Sequence, residues 1–134
     1  MEDVRRLSAD RLLVLKSRWF ERFCRKEGIP DSSLVEAVER ALRGQVDADL
    51  GGGVIKQRVA RSGGGKSGGY RTILLFRKGS VAAFVYGFAK SGRSNLGRDE
   101  LLMYREAAGE FLRLSGGEWR ELIQRGDFVE VSGK

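Results

Sequence analysis

Lys56, Arg58, Arg61, Lys66, Arg71, Lys90 and Arg93 fall within one stretch of the chain that holds no acid. From Gly51 to Arg98 there are ten Lys or Arg and no Asp or Glu. Cations suit chemistry on a phosphodiester. Arginine stays charged and presents a planar fork that matches phosphate oxygens, so it can hold charge developing on a phosphorane. A lysine crowded by other cations has its charged form disfavoured, which moves its proton toward a range useful for acid–base work. The same residue types could also do no more than grip a nucleic-acid backbone.

Other chemistries find less to work with. The chain has no histidine and a single cysteine, Cys24. Cys24 lies on an apolar helix stripe, where a buried structural thiol is expected, and one cysteine cannot make an internal disulfide. No set of His, Cys and acids has metal-ligand spacing, so neither a metal site nor a cofactor is expected. The basic window lacks the carboxylates needed for paired acid–base catalysis or for holding Mg²⁺. All 18 acids lie outside it, although the whole chain carries a net charge of +7. That asymmetry points to a polyanion-binding surface built from the middle of the chain.

One run in the window invites a different reading. "RSGGGKSGGYR", residues 61–71, contains Gly65-Lys66-Ser67, the end of a phosphate-cradling P-loop. The pattern requires a glycine at position 60, which is Ala60, and a helix after the Ser/Thr. Here Ser67 leads instead into Gly68-Gly69 and then "YRTILLF", a strand pattern. Without a helix N-terminus the phosphates lose their oriented N–H groups. The glycines read instead as a hairpin loop between two basic strands, with Lys66 at its tip in reach of a phosphate.

The elements that would position these residues are legible in outline. A length of 134 residues and 12 aromatics fit a single folded domain. Residues 1–16 read as a charged lead-in, with "LLVL" as a short strand, and 115–134 as a tail. No apolar run is long enough to span a membrane and the N-terminus has no signal-peptide core, so a cytoplasmic protein is expected. "SRWFERFCRKE" puts Trp19, Phe20, Phe23 and Cys24 on one helical stripe, stopped by Gly28. Leu34, Val35, Val38, Ala41 and Leu42 line a second helix. Ser33 and Glu36 have capping-box spacing at its start.

After "DADLGGG" the pattern turns extended. "VIKQRVAR", "YRTILLFRK" and "VAAFVYGFAK" read as three strands, the last two forming a hairpin across Lys78-Gly79-Ser80. Alternation puts Lys56 with Arg58 on one face, and Phe84, Tyr86, Phe88 and Lys90 together on a face of the third strand. A helix over 98–114, a short one at 118–124 and a possible strand "DFVEV" close the chain. The expected fold is α+β. It has two N-terminal helices, an antiparallel sheet of three to four strands with helices on one face, and a C-terminal helix.

The runs "WFERFCRKEGI", "DADLGGGVIKQRVARSGGGKSGGYRTILLFRKG" and "FVYGFAKSGRSN" resemble the RelE/ParE superfamily of bacterial toxins from type II toxin–antitoxin pairs, and within it the RelE and HigB-like branch. The resemblance covers residues 18–114. It implies a metal-independent, ribosome-dependent mRNA endonuclease working in the decoding site. It also implies contacts to mRNA and rRNA, and a cognate antitoxin that binds and neutralises the protein. The family's basic strand residues fall on Lys56 and Arg58, Lys56 by preference serving as general base or charge stabiliser. The arginine after the Gly-rich loop falls on Arg71, a phosphate clamp. The cation after the last strand falls on Lys90 or Arg93, a candidate general acid. Some members carry a tyrosine shortly after that strand; this chain has Asn95-Leu96-Gly97 there, which leaves Tyr86 as the available substitute. Arg61 and Lys66 complete the expected RNA contacts. Two other functions stay open at this stage: a DNA gyrase inhibitor of the ParE branch, without catalysis, and a nonspecific RNA-binding module.

Overall fold

A computed structural model describes residues 12–61, 69–90 and 96–132. Along the described chain run β1 (Leu13–Ser17), α1 (Arg18–Glu27), α2 (Asp31–Leu42), β2 (Ala48–Gly51), β3 (Val54–Val59), β4 (Tyr70–Arg77), β5 (Val81–Ala89), α3 (Arg98–Phe111), α4 (Gly116–Gln124) and β6 (Phe128–Glu130). The class is α+β, as expected. The sheet is larger than expected, with six described strands in the order β2-β3-β4-β5-β1-β6. It is mixed rather than antiparallel, because β1 runs parallel to β5 (Leu13 opposite Val81, Lys16 opposite Phe84). β6 then pairs antiparallel to β1.

Local chemistry sets the helix ends. Ser17 caps α1 by accepting from the Phe20 N–H, and Gly28 closes it in the left-handed region at φ +74°. α2 starts earlier than the Ser33–Glu36 spacing suggested. Pro30 is its extended N-cap with no side-chain cap, and Glu36 instead pairs with Arg40 at 2.8 Å. Asp31, at the first turn of α2, meets the buried Lys16 at 2.7 Å and accepts the Ser132 N–H at 2.8 Å. Lys16 also reaches Glu21 at 2.7 Å. This ion cluster ties β1, α1, α2 and the C-terminal segment together.

The sheet is covered on both faces, which corrects the expectation of helices on one side only. α1 and α2 pack Phe20, Leu34, Ala37 and Val38 against Ile55, Val59, Tyr70, Leu74 and Phe84. On the opposite face α3 and α4 bring Ala108 and Trp119 against Val54, Ile73, Leu75 and Ala83. That second cover is partial. Among the described residues its helices sit over the Val54 and Leu75 end of the strands and not over the end bearing Arg58 and Arg71.

Two features of the sheet aim side chains at that end. Between Ile73 and Leu74 the β4–β5 register shifts: Ile73 lies opposite Tyr86 but Leu74 lies opposite Phe84. Val85 is the extra residue of a β-bulge, and a bulge changes which face the following residues occupy. Phe84 is therefore fully buried in the α1 core while Tyr86 lies on the other face, so the expected shared face of Phe84 and Tyr86 does not exist. The second feature is Gln57, fully buried on β3. Its amide donates to Ala37 O at 2.9 Å and Gln45 O at 3.1 Å, and its oxygen accepts the Asp47 N–H at 3.0 Å. With every polar atom of that amide partnered, β3 is pinned to α2.

Candidate nucleic-acid interface

The register places the predicted cations side by side. On β3 and β4, Arg58 lies directly opposite Arg71 and Lys56 lies opposite Ile73. On the next pair, Ile73 faces Tyr86 and Arg71 faces Phe88. Lys56, Arg58, Arg71, Tyr86 and Phe88 thus form one patch on this end of the sheet. Arg58 is exposed, and Lys56, Arg71 and Tyr86 are half-buried. Neither Arg58 nor Arg71 enters an ion pair among the described residues. Like charges set directly opposite each other on neighbouring strands oppose folding, so this juxtaposition costs stability that a bound anion would offset.

Asp47 was not singled out in the sequence, yet it orients the patch from behind. Its carboxylate accepts the Arg58 backbone N–H at 2.6 Å and lies 3.7 Å from Arg40. Its negative charge is thereby spent on backbone and on Arg40. The signal was in "DADLGGG", an acidic start to a strand that then bends sharply. Gly51, Gly52 and Gly53 all have positive φ (88°, 64° and 90°), which side chains disfavour. A Cβ on Gly53 would sit 2.5 Å from Leu112, so this turn has to be bare to tuck beneath α3.

Aromatic rings wall the patch. Tyr86 packs against Trp19 at 4.8 Å between centroids, against Phe88 at 6.0 Å and against Tyr104 at 6.2 Å. Tyr104 comes from α3 and Trp19 from α1, so Tyr86 joins elements far apart in sequence. Trp19 read as part of a buried stripe, but it is 46% exposed. β1 ends at Ser17, and beyond Phe84 it no longer pairs with β5, so Trp19 at the start of α1 curls round the uncovered strand edge.

The remaining predicted residues are less close. Lys90 is exposed just past β5, and its backbone N–H donates to Gly69 O at 3.1 Å. It stands at the end of the strand that carries Tyr86 and Phe88. Arg61 lies beyond β3 on the α1 side of the sheet, where its charge acts on the Tyr70 hydroxyl. It is not part of the Lys56–Arg71 patch. Lys66 and Arg93 lie outside the described residues, as does most of the glycine-rich run. Tyr70, just after that run, opens strand β4, so the helix a P-loop requires is not there.

Cys24 is buried as its stripe implied, and burial pushes its thiol up to about 12, far from nucleophilic use. Among the described residues no three His, Cys, Asp or Glu come together as a metal site. No described helix is long and apolar enough to cross a membrane.

The family model described as RelE toxin of RelE / RelB toxin-antitoxin system matches residues 12–131. The chain belongs to the RelE toxin family. It is therefore the toxin of a toxin–antitoxin system, and a cognate antitoxin is its partner. A search of curated proteins finds no match. The matched span takes in every described element from β1 to β6.

Proposed function

We propose that this RelE-family toxin is a metal-independent endoribonuclease that cuts mRNA in the decoding site of the ribosome and so stops translation. The observation that carries this reading is the Arg58–Arg71 opposition on the sheet, with Lys56 and Tyr86 beside it. The substrate's own 2′-oxygen is the nucleophile. A base removes its proton as it bonds to the adjacent phosphorus. The 5′-oxygen then leaves with a proton from an acid, giving a 2′,3′-cyclic phosphate and a 5′-hydroxyl. Lys56 serves as base or as charge stabiliser. Arg71 and Arg58 hold the phosphorane oxygens, where fixed cations act most strongly on charge that grows in the transition state. Tyr86, already set in a stack of rings, offers a face to an unstacked base. Lys90 or Arg93 supplies the acid.

The test is primer extension on a reporter mRNA with purified toxin, with and without translating ribosomes. Cuts that appear only with ribosomes support the proposal, and Lys56→Ala and Arg71→Ala then abolish both the cuts and growth arrest. Cuts on naked RNA keep the chemistry but remove the ribosome requirement. No cuts in either tube, with folded protein, overturn the proposal and direct attention to a gyrase supercoiling assay.

A further inference from the structure

A second cleft opens on the other side of the Tyr86 wall. Trp19, Arg22, Phe23, Lys26, Glu27, Gly87 and Phe88 line it, around a volume of about 380 Å³. Its apolar floor exists because Gly87 is bare: a Cβ there would lie 2.8 Å from Phe23 and 2.9 Å from Phe20. One wall is the indole of Trp19, stacked on Phe23 at 5.4 Å and 11° and joined to the first patch through Tyr86 at 4.8 Å. Arg22 and Lys26, one helical turn apart, are exposed on its rim. Glu27 is the single acid among the lining residues, and its Oε1 accepts the Tyr70 hydroxyl at 3.1 Å. Arg61, the predicted RNA contact that falls outside the first patch, has its charge close to that same hydroxyl.

We propose that this cleft is a nucleotide subsite, in which an unpaired base of the RNA that flanks the cleaved phosphate stacks on Trp19 while Arg22 and Lys26 hold the backbone. The inference rests on the ribonuclease reading and extends it from the scissile phosphate to the path of the strand. Three observations converge. Trp19 is 46% exposed where a buried stripe was expected, and stacking of bases on aromatic rings is what binds single strands without sequence readout. Its rim is cationic, and Phe88, which lines the cleft, also lies opposite Arg71 in the first patch. A strand that leaves the catalytic face therefore passes Tyr86 and reaches Trp19 by crossing the edge of β5 beyond its pairing with β1.

The probe is a short single-stranded oligoribonucleotide made uncleavable by 2′-deoxy substitution. Trp119 is 2% exposed and Trp19 46%, so quenching of tryptophan emission on binding reports Trp19. The expected result is quenching, together with about ten-fold weaker binding of Trp19→Leu by anisotropy of a labelled oligonucleotide, the size of one lost base–aromatic stack. An Arg22→Ser/Lys26→Ser variant, altered only at exposed positions, shows a shallower salt dependence, by roughly 0.7 in slope for each phosphate contact removed. In cleavage, Arg22→Ser/Lys26→Ser raises KM and leaves kcat near its original value. Unchanged affinity of both variants overturns the subsite. So does a Trp19 signal that answers only to the antitoxin, which would make the cleft a protein-docking site. Failure of the ribonuclease reading looks different: wild-type toxin cuts nothing, yet Trp19 is still quenched by RNA.

Discussion

Replacing Arg71 with Gln makes this toxin more stable and inactive at once. Arg71 and Arg58 face each other across β3 and β4. Directly opposed residues keep their Cβ atoms about 5 Å apart, which places the guanidinium groups roughly 7 Å apart. At an effective dielectric of about 40–80, suited to an open surface, two like charges at that distance repel by roughly 0.6–1.2 kcal/mol. Arg71→Gln removes that repulsion and keeps part of the side-chain stem, so the melting temperature rises by about 2–5 °C. Arg58→Gln gives a similar gain. The double variant gains less than the sum, because the repulsion is removed only once. In 0.5 M salt more than half of the gain disappears through screening. The assay is thermal unfolding of the four proteins at low and high salt, paired with growth arrest after induction. A loss of toxicity that accompanies a rise in stability cannot be blamed on misfolding. If Arg71→Gln melts lower than the parent at both salt concentrations, or still arrests growth, the reasoning is wrong.

The other expectations concern the frame around the site. Gly87→Ala forces a methyl into Phe20 and Phe23 and costs about 1–3 kcal/mol of stability, read as a lower midpoint in urea unfolding. Lys16→Met leaves Glu21 and Asp31 without their shared cation and destabilises the fold at pH 7 by roughly 2–4 kcal/mol. In the parent, the Lys16 hydrogen bond leads in holding the Glu21 carboxyl low. At Asp31, burial raises the carboxyl, but Lys16 and the Ser132 N–H outweigh it. Both carboxyls thus sit below the ordinary carboxylate range. Their stabilisation is full above that range and is lost as pH falls through the depressed values. The gap between parent and Lys16→Met therefore narrows in acid; a gap that stays constant however far the pH falls below the ordinary carboxylate range would contradict the ion cluster. Cys24, with its thiol pushed up to about 12, stays unlabelled by a thiol reagent at mildly alkaline pH until denaturant is added, and rapid labelling of native protein would contradict its burial.

Much of this protein was written locally. The switch from helical to two-residue period at residue 54 marked where β3, β4 and β5 begin, because side-chain periodicity is a property of the backbone itself. Ser17 and Gly28 bounded α1 because capping needs only neighbours in sequence. The acid-free window announced the polyanion surface, since charge adds up wherever the chain runs. Lys56 with Arg58 came from alternation alone.

What alternation could not give was anything that depends on two distant segments meeting. Whether "LLVL" pairs with β5, and in which direction, is decided by a strand more than sixty residues away. The bulge at Val85, which sends Phe84 and Tyr86 to opposite faces, arises from register against β4 and leaves no mark in local pattern. The opposition of Arg58 and Arg71 spans a segment whose length does not fix register. Trp19 carries the sequence signature of a core residue and is exposed because β1 stops short beside it. Asp47 looks like a loop acid until β3 presents it with the Arg58 N–H. Sequence by itself determined which residues carry the charge and which elements they ride on. Tertiary structure alone decided which of them share a face, because register and burial are set by contacts between segments and not within them.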